Sequence, residues 1–437
     1  MFKGKRLATV LAASALTASM AGFVASPVAA QSVETLQNQI NALQSQINEL
    51  KSAQEKAAKN DVKVKWEPAP KISSADGRFE MNMRGRLLID AGWISDDDDS
   101  SNIDSTEFRA ARLGIEGKAW NNIKYKFEAD FADNEVSITD ALIGYDLGLA
   151  TVSVGQFKTF NSLEEQTSSR YISFLERGGI TDAFSLSRQL GIGVNAGGEN
   201  WSAAFGVFKG DADGGNGDRG ETYAGRVTFA PKIGDAGVVH VGAHIRHQKQ
   251  GSDDGLLRYR QRPHHHLGDR FIDTGSFADS DTLYGVELAG VFGPFSAQGE
   301  YMVLKADRTI PVAGFKDPTF KGWYADLTYV ITGESRNYDA EDGAFGRLKV
   351  ADPVTDGGMG AWQVGIRYDY VDLTDEDIFG GVQDTWIFGV NWHLNNYSRI
   401  MFNYSMSDVK KAFDVSRNGA DGKNDIDAFG LRFQVDW

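Results

Sequence analysis

The sequence contains no cysteine. It therefore uses no disulfides, and a chain this long must be held by a sheet or core large enough to stand alone. Long apolar runs are also missing. Beyond Ala30 none approaches the ~20 residues a membrane-spanning helix requires. If the chain lives in a membrane it must do so as a closed barrel, the only other structure that satisfies every backbone group in lipid. A basic surplus is absent as well. The formal charge is −15, and the amino-terminal segment described below carries three basic and no acidic residues, so the rest of the chain stands near −18. That argues against a nucleic-acid partner.

Signs of catalysis are equally thin. No feature singles out the positioned Ser and His that a lipase needs. His240 and His244 share a strand face, but four residues of strand span ~13 Å, too far for one metal. Adjacent side chains at His264-His265-His266 point in alternate directions on an extended chain. Asp96-Asp97-Asp98-Asp99 and Asp211-Ala212-Asp213 lack the ligand spacing of a calcium loop. They read as solvated acidic loops, with divalent cations bridging lipopolysaccharide as the alternative. Neither an enzyme nor a cofactor is expected.

What is present divides the chain into four. In residues 1–30, Lys3, Lys5 and Arg6 precede an apolar stretch from Leu7 to Val24, and Val28-Ala29-Ala30 supplies small side chains before a cleavage site. This is the pattern of a secretory signal peptide. In residues 31–60, Val33, Leu36, Ile40, Leu43, Ile47 and Leu50 alternate in steps of three and four, a heptad seam with β-branched residues at a and Leu at d. Three heptads are too short to be stable alone, so the seam predicts a short coiled-coil oligomerisation helix; a helix folded back on the rest is the alternative. The residue types favour a dimer, a preference that a trimerising barrel would override. A linker with Pro68 and Pro70 covers 61–77.

From residue 78 to 437 the period changes to two. Ile123-Lys124-Tyr125-Lys126-Phe127-Glu128-Ala129-Asp130-Phe131 alternates apolar and polar, as do stretches beginning at Phe79, Val239, Trp323, Trp362 and Phe429. Tight turns at Asn121-Asn122, Gly148, Gly198-Glu199-Asn200, Gly293-Pro294 and Asn395-Asn396 face long polar loops, including 95–104, 209–220, 250–279 and 408–425. Short turns on one side and long loops on the other are the mark of an outer-membrane barrel, and the breaks count out about sixteen antiparallel strands. The second outer loop, 132–135, is short, and 332–360 is a long segment on the inner side. The final strand, apolar at every second position to Trp437, resembles the signal read by the barrel-assembly machinery.

Inward positions carry Arg84, Arg86, Arg112, Lys118, Lys124, Lys126, Arg226, Arg246, Arg367, Arg399 and Arg432. Against them stand Glu80, Asp90, Glu116, Glu128, Asp130, Glu287, Glu300, Asp326, Asp369 and Asp436. The wall is nearly balanced, so the negative surplus belongs to loops. Glu287, Glu300, Asp326 and Asp369 meet only Arg367, and such an acidic column facing bases elsewhere would set a field across a narrow pore. The loop 160–188, between the fifth and sixth strands, is long enough to fold inward. In Arg258-Tyr259-Arg260-Gln261-Arg262 three guanidiniums project from one face about 6–7 Å apart if the chain is extended. They suit either passage of an oxyanion from one to the next or pairing with Asp253, Asp254, Asp269 and Asp273.

An ordered series of segments resembles the phosphate-selective porin O and P family. It includes Phe108-Arg109-Ala110-Ala111-Arg112-Leu113-Gly114, Gly155-Gln156-Phe157-Lys158, Leu163 to Tyr171, Gly293-Pro294-Phe295, Gln298-Gly299-Glu300-Tyr301 and Asn391-Trp392. The likeness runs from about Arg78 to Trp437. It implies a trimeric, sixteen-stranded porin with inward-folded loops and a path for small anions. Arg109 and Arg112 match the basic motif after the first outer loop, with Ala110 where a further arginine is usual; Lys158 matches the start of the constriction loop and Arg170 a position within it. The expectation is an all-β outer-membrane porin of a Gram-negative bacterium, set in lipid and lipopolysaccharide, passing small hydrophilic solutes and favouring anions such as phosphate. Its pore residues would be Arg84, Arg86, Arg109, Arg112, Lys124, Lys126, Lys158, Arg170, Arg258, Arg260 and Arg262. A general or cation-tolerant porin, and an envelope-tethering barrel without an open pore, are the alternatives.

Overall fold

The computed structural model describes residues 33–59, 62–66, 68–97, 102–212, 218–234, 237–413 and 421–437; the signal-peptide expectation and parts of both acidic runs fall outside them. Val33–Lys59 forms one helix, α1. Its seam residues Val33, Leu36, Ile40, Leu43, Ile47 and Leu50 are all exposed in the single chain. The stretch expected to be a linker is instead mostly an antiparallel hairpin, Val62–Trp66 with Pro70–Ser74. Its second arm pairs with the first barrel strand, Lys71 opposite Asn82.

Sixteen antiparallel strands form the barrel. They are β1 (Glu80–Asp96), β2 (Ile103–Ala119), β3 (Ile123–Asp130), β4 (Ser137–Asp146), β5 (Thr151–Lys158), β6 (Arg188–Gly198), β7 (Trp201–Lys209) and β8 (Glu221–Phe229). The second half comprises β9 (Gly237–Lys249), β10 (Ile272–Phe292), β11 (Phe295–Arg308), β12 (Thr319–Val330), β13 (Ala361–Asp375), β14 (Ile378–Asn395), β15 (Ser398–Ala412) and β16 (Asn424–Asp436). Each pairs with its neighbour in sequence, and β16 pairs with β1, Leu431 opposite Ala91, which closes the ring so that the barrel itself has no free edge. Trp437 completes the seam by exchanging backbone hydrogen bonds with Gly85 at 3.0 Å. Its ring lies where a Cβ on Gly85 would sit, so glycine is needed there.

The outer surface carries aromatics where a bilayer has its interfaces. Trp362 stacks on Trp392 beside an inner turn, and Trp323, Tyr368 and Trp386 form a second group farther up β12 to β14, about half-way along β13 and β14. Inside, the alternation breaks at a telling place. Leu283, Met302, Leu304 and Phe320 point inward and are fully buried. They join Ile180, Ala183 and Phe184 of the third outer loop and Tyr259 of the fifth in one apolar cluster. Burying a side chain such as Phe184 contributes roughly 1.5–3 kcal/mol, so these outer loops are seated in the barrel rather than lying over it.

The third outer loop, 159–187, crosses the lumen along β11 to β16. Phe174 packs against Gly365 and Gly389, and Leu175 against Gly430, in space that any side chain there would fill. Four arginines of the wall grip the loop by its main chain. Arg399 donates to the Ile172 carbonyl at 2.8 Å, Arg432 to Leu175 at 2.6 Å, Arg246 to Phe184 at 2.9 Å and Arg367 to Glu176 at 3.5 Å. From the other end, the long inner segment 331–360 also enters. The Phe345 amide donates to Thr167 of the third loop at 3.2 Å, and the Gly343 carbonyl accepts from Arg226 at 2.7 Å.

Candidate functional site: a basic wall beside the third outer loop

The loop leaves an opening against β1 to β8, a cavity of about 570 Å³ lined by eleven bases and four acids. The balanced wall of the sequence analysis is therefore segregated. Three of the four acids of the column hold the loop, directly or through Arg367, and the fourth, Glu287, is taken up by bases of the wall, so the column does not face the opening. Glu300 accepts from the Leu163 and Glu164 amides at 3.0 and 2.9 Å, and Asp369 from the Gly179 amide at 2.8 Å. Asp326 pairs with Arg367, which also reaches Glu164 of the loop. A second base serves the column too: Arg226 crosses from β8 to chelate Glu287 at 2.9 and 2.7 Å. The expectation that only Arg367 would meet these acids is thus corrected, because the barrel's curvature lets a long side chain reach beyond the adjacent strand.

On the opposite wall, three guanidiniums share one buried carboxylate. Arg84 Nε lies 3.0 Å from Glu128, and Arg86 and Arg112 each lie 3.5 Å from it. Arg86 and Arg112 are direct cross-strand partners, a like-charge pairing that is unfavourable unless anions lie between. Arg86 also donates to Ser169 of the loop at 2.6 Å, and Arg170 lines the same cavity. Arg112 holds Asp130 at 2.6 Å. Lys126 pairs with Asp140 at 2.9 Å.

Arg109 reaches this site by a route the alternation hides. On a regular strand residues 109 and 112 point to opposite faces. The register slips between Leu88 and Ile89, which face Ala110 and Phe108, and the extra residue is a β-bulge. Arg109 and Ala110 thereby both face the lumen while Phe108 stays on the lipid side. Arg109 forms a two-point pair with Glu176 of the third loop, both contacts 2.9 Å, and Arg432 reaches the same carboxylate at 2.9 Å. Burial opposes ionisation of Glu176, but these guanidiniums outweigh it and hold its carboxyl well below the usual range. A depressed carboxyl stabilises the fold above its unfolded-state value and loses that contribution only as pH falls through the folded value. The Glu176 contact therefore persists below the ordinary carboxylate range.

Towards the outer mouth lies a second cavity of about 420 Å³. It is lined by Arg258, Arg260, Arg262 and Arg270 and shares Arg109, Glu176 and Arg177 with the first. Leu257–Gln261 is extended, as expected, with Tyr259 and Gln261 buried on its other face. Arg258 is paired with Asp273 at 2.7 Å, and Arg262 donates to the Gly268 carbonyl at 3.0 Å.

Of the expected pore residues, Arg84, Arg86, Arg109, Arg112, Lys126, Lys158 and Arg170 line the inner cavity. Lys158 there is turned onto the Glu165 and Thr167 carbonyls. Arg258, Arg260 and Arg262 line the outer cavity. Lys124 joins neither. It sits near the inner turns, 53% exposed, and pairs with Asp146 at 3.0 Å. Arg177, Arg188 and Arg270 also line these cavities, and none of them is marked out by the sequence. The histidine triplet lies in a turn, His264 having φ 56°, rather than on the extended chain that alternation assumes, and it splits three ways: His264 towards Asp369 at 3.5 Å, His265 against Gly92 and Gly430, and His266 to Glu107 at 2.8 Å.

Comparison with known proteins bears on the same region. The family model for phosphate-selective porin O and P matches residues 81–437. Porin O of Pseudomonas aeruginosa is 30% identical over 86% of this chain and 92% of its own. A protein of Caulobacter vibrioides described as uncharacterized is 33% identical over 87% of this chain and 78% of its own. Among solved structures, the loop-deleted OmpT of Vibrio cholerae (TM-score 0.52) and an anion-selective porin of Comamonas acidovorans (TM-score 0.50) each share 12% identity. Both cover 82% of this chain, and 100% and 99% of their own chains are matched. At that identity they speak for the fold alone.

Proposed function

Because the chain belongs to the phosphate-selective porin O and P family, we propose that anions such as phosphate cross it along the two arginine-lined cavities beside the third outer loop. It is a porin of the Gram-negative outer membrane that passes small hydrophilic solutes by diffusion. The family is one of channels rather than enzymes. The observation that carries the anion preference is the inner cavity, with eleven bases against four acids. Fixed guanidiniums in a narrow, partly desolvated passage raise local anion concentration and repel cations. Arg258, Arg260, Arg262 and Arg270 would collect an oxyanion at the mouth. Arg109 and Arg177 border both cavities and would hand it to Arg84, Arg86, Arg112 and Arg170. Lys126 and Lys158, already engaged, add field rather than contacts, and Lys124 acts at the inner rim.

The test is single-channel conductance in a planar bilayer with phosphate titrated against chloride. Phosphate should block chloride current, and a salt gradient should give an anion-selective reversal potential. A cation-selective potential would favour the general-porin reading, and a barrel without conductance steps the tethering one. Replacing Arg260 and Arg262 by Gln is expected to weaken phosphate block while leaving chloride conductance nearly unchanged. Arg258, already held by Asp273, should matter less than either. Equal block in all variants would remove the outer cavity from the path.

The exposed seam of α1 supports an assembly through its own copies, which for this barrel we infer to be a trimer. Ile40→Asp with Leu43→Asp should weaken the cross-linked oligomer and leave unit conductance as it was. Oligomers of undiminished stability would show that the helix does other work.

A further inference from the structure

A second, wholly buried cluster lies on the wall opposite the anion path. Glu287 of β10 and Glu300 of β11 are direct cross-strand partners. His244 of β9 faces them, and one ligand atom from each of the three lies within 4.8 Å of the others. The charges do not balance. Glu287 has Arg226, but the donors to Glu300 are all neutral: the Ser162 hydroxyl, the Leu163 and Glu164 amides and the Tyr324 hydroxyl. Two adjoining buried carboxylates thus meet one guanidinium, an arrangement that is costly without a further positive charge.

The histidine supplies an independent sign. The His244 side chain has no exposed surface, and neither ring nitrogen makes a hydrogen bond. Buried imidazoles ordinarily find a partner. Its Nε2 points at Glu287 Oε1 from 3.9 Å. Space for the ring exists because residue 285 is glycine; a Cβ there would come within 2.1 Å of it. Glu300 Oε2 accepts a single hydrogen bond, from Leu163, and so keeps a lone pair for a ligand. His240, the other histidine on this strand face, is already engaged by Glu287 at 3.0 Å and by Tyr338.

We propose that His244, Glu287 and Glu300 form a binding site for one divalent transition cation, zinc being the best match to one imidazole nitrogen and two carboxylate oxygens. The cation balances the second carboxylate. Because Glu300 also holds residues Ser162 to Glu164, the cation bolts the start of the third outer loop to β9, β10 and β11. It further reduces the negative charge of this wall as seen by ions passing along the basic one.

The test uses the full-length protein in detergent, stripped with EDTA and then given zinc chloride either in the folded state or during refolding. The metal retained after desalting is measured, and affinity is read by calorimetry. One zinc per chain is expected from at least one route, with binding weakened more than about tenfold in His244→Gln and unchanged in His266→Gln on the fifth outer loop. Should His244→Gln fail to fold, cobalt substituted into the wild-type protein must give visible absorption bands of a nitrogen–oxygen site. Zinc lost equally by wild type and His244→Gln, or the absence of both retained zinc and cobalt bands, would overturn the proposal and assign the balancing charge to a proton.

Discussion

Replacing Arg86 and Arg112 together by glutamine is expected to cut the anion preference of the pore sharply. In the native wall Glu128 is shared by Arg84, Arg86 and Arg112, and Arg84 and Arg112 also answer Glu116 and Asp130. Removing two of the three guanidiniums leaves Arg84 alone against three carboxylates. At an effective dielectric near 20 a single charge at 4 Å weighs about 4 kcal/mol before screening. Even a third of that survives as about 1.4 kcal/mol, a tenfold change in permeability ratio. Reversal potentials in a potassium chloride gradient should therefore move well towards the cation side, and the effect should shrink at high salt. The double lysine variant keeps both charges and should keep the anion preference, though lysine's single point charge would loosen the hold on a planar or tetrahedral oxyanion. An unaltered reversal potential in the glutamine variant would move the selectivity filter elsewhere in the lumen.

The second large effect concerns the loop rather than the ions. Arg367 is fully buried, bridges Glu164 of the third loop and Asp326 of the wall, and lies between the rings of Phe174 and Tyr324 at 4.6 and 4.4 Å. Arg367→Met keeps much of the volume but leaves two buried carboxylates without their base, at a cost of about 3–5 kcal/mol. Part of that strain can be relieved by lifting the loop off the wall. Unit conductance should rise and grow noisy, phosphate block should weaken, and the oligomer should unfold at a lower temperature. If conductance and noise match the wild type while only stability falls, the bridge serves the barrel and not the opening. Adding Glu164→Gln and Asp326→Asn to Arg367→Met removes the stranded charges, and should restore much of the stability without restoring the conductance.

How far the sequence speaks for this molecule depends on what sets each feature. The strands were legible because a wall between lipid and water imposes a period of two, and the ring of sixteen followed from counting its breaks. The length of 159–187 made it a candidate to fold inward, but did not reveal its path along β11 to β16. The charge segregation was not legible, since the face of a residue can be read from alternation but its neighbours around the ring cannot. Arg226 and Glu287 stand two strands apart and 61 residues distant. Arg109 was hidden by the bulge, which no local signal marks, although the family pattern pointed to it. Lys124 was assigned the right face and the wrong height, being too near the inner turns to enter the cavity. One clue went unused: Leu283, Met302, Leu304 and Phe320 are apolar on the lumen side of three successive strands, which in a water-filled pore can only mean that something apolar is seated there.

The grip of Arg246, Arg367, Arg399 and Arg432 on main-chain carbonyls separates where the third loop runs from what it carries. Carbonyls are the same at every residue, so the loop behaves as a replaceable cartridge in a fixed holder. Outside its anchors (Ser162, Glu164, Thr167, Phe174, Leu175, Glu176, Arg177, Ile180 and Phe184), side chains such as Ser169 and Arg170 can be exchanged without rerouting the chain. A lineage of such barrels, or a designer, can therefore change the transported ion by editing a handful of loop positions while the wall stays as it is.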